Sequence, residues 1–271
     1  MLAAAGYAQR LAIVVPDGDQ QITAEYADNL RRELAKMHGV DDMDMTRAAI
    51  KGAEPDAIFN MTVSDAKDLG SRIGTPYYLL IKGGEMRRSS SEKPEYYEAF
   101  AAVWVISSAG GHLVKWELYS FDADSPAKAH ELLMSSVAKS AAALSDAIAA
   151  DIADGPRSRQ MPHFQPVPDI DDPKYPGLRP PMPYRRVSPA YTTAAYLYEI
   201  KATVELEADV DAEGNLLRAQ IVRWAGYGLD ESVTATVRKM NWRPATMGKT
   251  ALPMRVLLRY NFVKVEKNDE N

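Results

Sequence analysis

The sequence predicts an α+β protein of two domains: an α/β sandwich-type domain with a mixed sheet over residues 1–154, and a small βαβ domain with a three-stranded antiparallel sheet over residues 190–271. Three observations carry this. Ten of the seventeen prolines fall between 155 and 189, which divides the chain. Before that segment, short apolar runs alternate with helical spacings; after it, apolar residues alternate strictly with polar ones. At 271 residues, with 46% hydrophobic and 25% charged residues, each part is large enough to bury its own core.

In the first part, the apolar run 11–15 followed by Pro16-Asp17-Gly18 reads as a buried strand ending in a turn. Ile22, Tyr26, Leu30, Leu34 and Met37 then recur at helical spacing, with Gly39 as the stop. A short strand is predicted over 40–45, and a helix after Thr62 and Ser64 that turns Ala66, Leu69 and Ile73 inward and closes at Gly74. Strands over 76–82, 98–107 and 112–121 follow, the last two joined at Gly110-Gly111, which makes these three antiparallel neighbours. Ser125-Pro126 is an N-cap with proline at the first helical position, and Leu132, Leu133, Val137, Leu144 and Ile148 mark one long closing helix across the sheet.

The proline-rich segment 155–189 is predicted to be an extended linker, because proline fixes φ and removes a backbone donor. At about 3.1 Å per residue such a linker spans up to roughly 100 Å. Phe164, Tyr175 and Tyr184 equally allow it to wrap over a domain as ordered coil.

In the last part, Ala202, Val204, Leu206, Ala208 and Val210 face one way and Thr203, Glu205, Glu207 and Asp209 the other, the pattern of a half-solvated strand. A turn at Glu213-Gly214-Asn215 leads to a return strand with Leu217, Ala219 and Ile221 inward. Leu229, Val233, Val237 and Met240 define one helix face, with Asp230 and Glu231 at its positive end. A third strand runs over 252–262, its even-numbered residues facing one way.

These blocks carry a resemblance. The alternating 204–210, Asp211-Ala-Glu-Gly214, Leu229-Asp230-Glu231, Trp242-Arg-Pro244-Ala245 and Gly248-Lys249 resemble the TonB carboxy-terminal domain over 187–264, although the glycine usual before its first strand is absent. The resemblance implies a non-catalytic adaptor whose last strand sits at a sheet edge and takes up an extended peptide of an outer-membrane receptor or another envelope protein. The residues so implied are Val256, Leu257, Leu258, Arg259, Tyr260, Asn261 and Phe262. Energy transduction for TonB-dependent transport is the finer form of this expectation. Its rival is a structural or secretion-assembly component that uses the domain as a tether, and homo-oligomerisation stays open in either case. Ala66-Lys-Asp-Leu-Gly70, Ile73-Gly74-Thr-Pro-Tyr-Tyr-Leu-Leu-Ile81 and the hairpin at 109–111 resemble the α/β module of CsgG-type proteins and the TolB amino-terminal domain, with Pro16-Asp17 departing from the family's opening. Together the resemblances imply a periplasmic protein of the bacterial envelope, with a membrane anchor ahead of Met1 left open. The small-residue stretch ending at Gly6 and Ala8 reads either as the remnant of a secretory cleavage region or as a frayed terminus.

The remaining constellations point away from chemistry. With no Cys there is neither a thiolate nucleophile nor a Cys-ligated metal, and His38, His112, His130 and His163 lie on different elements without ligand spacing. Asp209-x-Asp211-x-Glu213-Gly214 imitates the start of a calcium loop but has Gln220 in place of the closing Glu. Pro16-Asp17-Gly18-Asp19 sits where an α/β fold could bind a ligand beyond a strand end but lacks GxGxxG and the P-loop lysine, and the run Asp169, Asp171, Asp172, which could bind a cation, reads as solvated linker. Residues 1–155 hold 15 Lys+Arg against 23 Asp+Glu, which leaves 32 − 15 = 17 against 37 − 23 = 14 for the rest, so no basic stripe suits nucleic acid. No enzyme, cofactor or metal is expected. Trp224, opposite in parity to Ile221, is the one tryptophan expected to offer a surface contact.

Overall fold

The computed structural model describes residues 9–16, 21–43, 46, 50, 57–155, 164–168 and 174–264. The readings placed on Gly6, Ala8, Asp17, His163, Asp169, Asp171 and Asp172 lie outside these residues. The chain divides into two compact units, Met1–Arg159 and Gln160–Asn271.

The first unit is built on a five-stranded mixed sheet in the order β2-β1-β3-β4-β5. Strand β1 (Arg10–Val14) runs parallel to both β2 (Gly39–Val40) and β3 (Tyr77–Arg88), and β3, β4 (Tyr96–Ser107) and β5 (Leu113–Ala123) are antiparallel. Helix α1 (Gln21–Leu34) turns Ile22, Tyr26, Leu30 and Leu34 into the core with Leu79, Ile81, Val103 and Val105 of the sheet. Helix α2 (Val63–Ile73) begins with a capping box between Thr62 and Asp65 and stops at Gly74, whose φ of 80° is open to glycine at no steric cost. Gly111 ties the β4–β5 turn to that helix: at φ 67° an added Cβ would lie 2.0 Å from Val63 O.

Two expectations for this unit are corrected. The strand predicted over 40–45 is only Gly39–Val40, and residue 43 is already helical. The single closing helix is two, α3 (Pro126–Ser135) and α4 (Val137–Asp154), bent by 42°. The Ser135 and Ser136 hydroxyls donate to Leu132 O and Leu133 O, both at 2.7 Å. Such bonds back to the preceding turn compete with the helical ladder and bend it there. Ala129, Leu133, Val137, Leu144 and Ile148 still face the sheet. No single helix among the described residues is long and apolar enough to cross a membrane.

The second unit contains a three-stranded antiparallel sheet in the order β13-β8-β9, made of β8 (Ala202–Val210), β9 (Leu216–Arg223) and β13 (Met254–Phe262). The β8–β9 turn is held by Asp211, whose carboxylate accepts from Glu213 N at 3.0 Å and Asn215 N at 2.7 Å. That is an Asx-type turn, and Asp211 is occupied in making it. Helix α6 (Leu229–Arg238) packs Leu229, Val233 and Val237 toward the buried Val204, Leu206, Ala208 and Val210. Pro253 interrupts the last predicted strand, so that β12 (Thr250–Leu252) pairs with β11 (Ala245–Met247) and only β13 joins β8.

Described parts of the proline-rich segment belong to this unit, which begins at Gln160 rather than at the predicted boundary of 190. Strand β6 (Leu178–Arg179) pairs with β11, and β7 (Met182–Pro183) pairs with β10 (Trp242–Arg243). Over these residues the chain wraps as ordered structure and is not a spacer. The prolines allow this because each short bridge needs bonds from one side only. A five-residue helix, α5 (Thr193–Leu197), capped by Thr192, leads into β8.

Candidate protein-binding edge

β13 lies at one edge of its sheet and β9 at the other. All nine residues of β13 pair with β8 without interruption, from Met254 opposite Val210 to Phe262 opposite Ala202. Arg255 exchanges backbone hydrogen bonds away from β8: its N–H donates to Gln165 O at 2.8 Å and its carbonyl accepts from Val167 N at 2.9 Å. Antiparallel pairing alternates residues that bond across the pair with residues that bond outward. Leu257, Arg259 and Asn261 share the parity of Arg255 and therefore direct their N–H and C=O outward, where no strand of the described residues pairs with them, while Val256, Leu258 and Tyr260 bond to β8. The predicted edge residues 256–262 thus sit on a real sheet edge, divided between these two registers.

Their side chains divide the same way. Met254 and Phe262 are buried on the helix side, where Phe262 stacks on Tyr191 with ring centres 6.3 Å apart. On the opposite face a charge ladder crosses the sheet. Arg259 Nε lies 2.7 Å from Glu205 Oε1, and Arg223 reaches Glu205 from β9 at 3.6 Å. Arg255 grips Asp209 with Nε–Oδ1 at 2.6 Å and Nη2–Oδ2 at 2.9 Å, and its Nη1 lies 3.3 Å from Glu207. The bond to Asp209 holds the Arg255 guanidinium above its already high ordinary pKa. Thr203 Oγ1 donates to Asn261 Oδ1 at 2.9 Å. The face expected to be half-solvated is therefore partly closed: Glu205 and Asp209 are buried beneath arginine side chains from both edges. Leu257, 52% exposed between the two arginines of β13, is the large apolar side chain that this face leaves open, beside the exposed Arg259 and Asn261.

Trp224 offers no surface contact and is corrected: it is 1% exposed and among the largest fully buried side chains. The cause is a bulge. Ile221 pairs with Leu206 and Arg223 with Glu205, so Val222 is the extra residue and the parity reverses after it. Trp224 then lands on the core side. A second bulge leaves Leu217, expected inward, 49% exposed, because Leu216 pairs with Val210 and Arg218 with Asp209.

Sequence reasoning did not anticipate the role of Asp230. Its carboxylate is buried and accepts from Gly226 N at 2.7 Å and from Ala225 N at 3.0 and 3.2 Å. It thereby fixes the turn Gly226-Tyr227-Gly228, whose φ values are 77°, 54° and 73°. Burial pushes this carboxyl up to about 7, against the pull of the backbone donors and with a further push from Glu231. The signal available in the sequence was an Asp two residues beyond a Gly-x-Gly at a helix start. In the first unit, His112 Nε2 lies 2.7 Å from Asp151, which also accepts from Tyr77 Oη at 2.9 Å, and His130 lies between Glu25 at 3.2 Å and Glu85 at 3.0 Å. Among the described residues no group of three His, Asp or Glu is placed to hold a metal ion.

No curated protein matches the chain. Among solved structures, the TonB C-terminal domain of Pseudomonas aeruginosa is 19% identical, with 39% of this chain and 98% of that one covered and a TM-score of 0.28. A lipoprotein of Neisseria meningitidis is 13% identical, with 49% and 98% covered and a TM-score of 0.36. A hypothetical protein of Chlamydia trachomatis is 10% identical, with 53% and 99% covered and a TM-score of 0.35. The family model described as Gram-negative bacterial TonB protein C-terminal matches residues 187–263, the stretch that holds β8, β9, α6 and β13.

Proposed function

We propose that this chain is a periplasmic adaptor of the bacterial envelope, non-catalytic, which takes up an extended segment of an outer-membrane receptor or another envelope protein by strand addition at β13. The observation that carries the reading is the outward register of Leu257, Arg259 and Asn261 on an uninterrupted edge strand. An incoming strand completes its ladder there with backbone bonds, while Leu257 and the arginines on either side of it discriminate among side chains. The match to the TonB C-terminal family supports this class of partner, and energy transduction for TonB-dependent transport is its finer form. A second reading is that of an assembly component using the domain as a tether. It draws on β5, an eleven-residue strand at the edge of the first sheet, which is an edge on which a second copy could pair. The resemblance of the first unit to the CsgG and TolB amino-terminal module belongs with either reading.

Because the chain has no cysteine, Leu257→Cys gives a unique handle on the edge, and Leu217→Cys gives one on the opposite edge of the same sheet. Armed with a thiol-attached photo-crosslinker in envelope preparations, position 257 is expected to yield discrete adducts that position 217 does not. Equal adducts from both positions would remove β13 as the site. Adducts only between copies of this chain would favour the assembly reading.

A further inference from the structure

The edge of β13 is already taken at its first step. Pro166 is the parallel bridge partner of Arg255, with Gln165 O and Val167 N making the two bonds on either side of it. In a parallel bridge the bridging residue turns its own backbone nitrogen and carbonyl away from its partner. At that outward position stands a proline, which has no N–H to leave unsatisfied, and Pro168 repeats the parity. A strand with prolines at alternate positions pairs on one side only and blocks further pairing on the other. Next to this contact is an apolar pocket of about 480 Å³, lined by Phe164 and Tyr175 from the proline-rich segment and by Leu252, Pro253 and Met254 from the approach to β13. Sequence, register and pocket agree that this short segment is fitted to the head of the edge.

We infer that residues 165–168 are a built-in strand holding the first step of the β13 edge, and that a captured peptide engages the whole edge from Arg255 to Asn261 only by displacing it. The inference rests on the reading of β13 as the capture edge and adds its regulation. Two backbone bonds are a weak hold, but a tethered segment competes at an effective concentration on the order of millimolar. A short stray strand does not overcome that. A partner strand that pairs along Leu257, Arg259 and Asn261 gains further bonds and does, so the segment selects for long, continuous strands. The pocket, left by Phe164 as the segment leaves, is then available to an apolar side chain at the partner's end.

The test uses the full chain and two substitutions away from β13. Val167→Pro removes the N–H that bonds Arg255 O, while Val167→Ala keeps it. Two quantities are measured: amide hydrogen exchange at Arg255, and binding of a fluorescent synthetic peptide with the sequence of residues 163–169. Val167→Pro is expected to speed Arg255 exchange at least tenfold and to bind the peptide at least tenfold more tightly than the wild-type chain, whose site is filled in cis. Val167→Ala is expected to match the wild type in both. Unchanged Arg255 exchange in Val167→Pro, or peptide binding that is equal in the two chains or absent from both, would overturn the inference. Neither readout uses an envelope partner, so failure of partner capture would sink the capture reading while leaving these two results as they stand.

Discussion

Arg255 serves Asp209 and the proline-rich segment at once: its guanidinium closes on both carboxylate oxygens of Asp209 at 2.6 and 2.9 Å, while its backbone bonds Gln165 and Val167 at 2.8 and 2.9 Å. The side chain anchors the strand to the interior of its own sheet, and the main chain meets the segment on the far side. This is why the edge begins at Arg255 and why the residue is a structural pivot as well as part of the candidate site.

The first prediction follows from the burial of Asp209, whose side chain is 2% exposed. Among the described residues, Arg255→Ala leaves that carboxylate only the ion pair with Arg218, 3.9 Å away. Removing one partner of a buried ion pair costs about 3 kcal/mol or more, because the remaining charge is stranded. Urea denaturation is expected to show that loss in Arg255→Ala, and Asp209→Ala combined with Arg255→Ala is expected to recover a substantial part of it. Additive losses would mean that Arg255 stabilises the unit through packing alone.

The burial of Trp224 sets the second prediction. Trp224→Ala is expected to lower the stability of the second unit by about 3–5 kcal/mol, as for other large core deletions, and Trp224→Phe by less. A stability change below about 0.5 kcal/mol, the range of ordinary surface substitutions, would return Trp224 to the surface.

Much of this unit was legible in the sequence because strict alternation over 202–210 can only be a strand with one apolar face, and four apolar residues at helical spacing can only cover it. Three things were not. Bulges at Leu217 and Val222 each add a residue that no alternating pattern announces, and so Leu217 and Trp224 were placed on the wrong sides. Burial of Glu205 and Asp209 depends on arginines from two neighbouring strands, and strand order is a tertiary fact. Composition allows the proline-rich segment to be a spacer or an ordered wrap alike, and the choice depends on which side of each residue carries the bond. Pro166 shows the point: its missing N–H faces away from Arg255 and costs the pairing nothing.

The third prediction concerns pH. Burial raises the folded Asp230 carboxyl to about 7, above the ordinary aspartate value near 3.9 that the unfolded chain retains. Between those values the folded state binds more protons, so the contribution of this group to stability is fully present below about pH 4 and is lost as pH rises through about 7. Asp230→Asn removes the titration. The difference in urea midpoint between wild type and Asp230→Asn is therefore expected to shift against the wild type as pH goes from 5 to 8. A difference that is flat over this interval would show that the donors of Ala225 and Gly226 keep the carboxyl ionised throughout.

The last prediction separates the two registers of β13. Leu257 is exposed and directs its N–H to the open edge, whereas Leu258 opposes Leu206 and bonds into the sheet. Proline at 257 removes an outward donor, which an edge strand tolerates, and it bars the incoming ladder at its middle. Proline at 258 removes a bond between β13 and β8. Arg259 has the same parity as Leu257, but Arg259→Pro also strips the guanidinium from Glu205 and so mixes capture with stability. Leu257→Pro is the cleaner variant. It is expected to keep the wild-type circular dichroism spectrum while its pull-down of envelope proteins from a membrane extract falls roughly fivefold to tenfold, the worth of one or two net backbone hydrogen bonds. Leu258→Pro is expected to lose the folded spectrum or a large part of its thermal stability. Full capture by a folded Leu257→Pro would place the binding surface away from this edge.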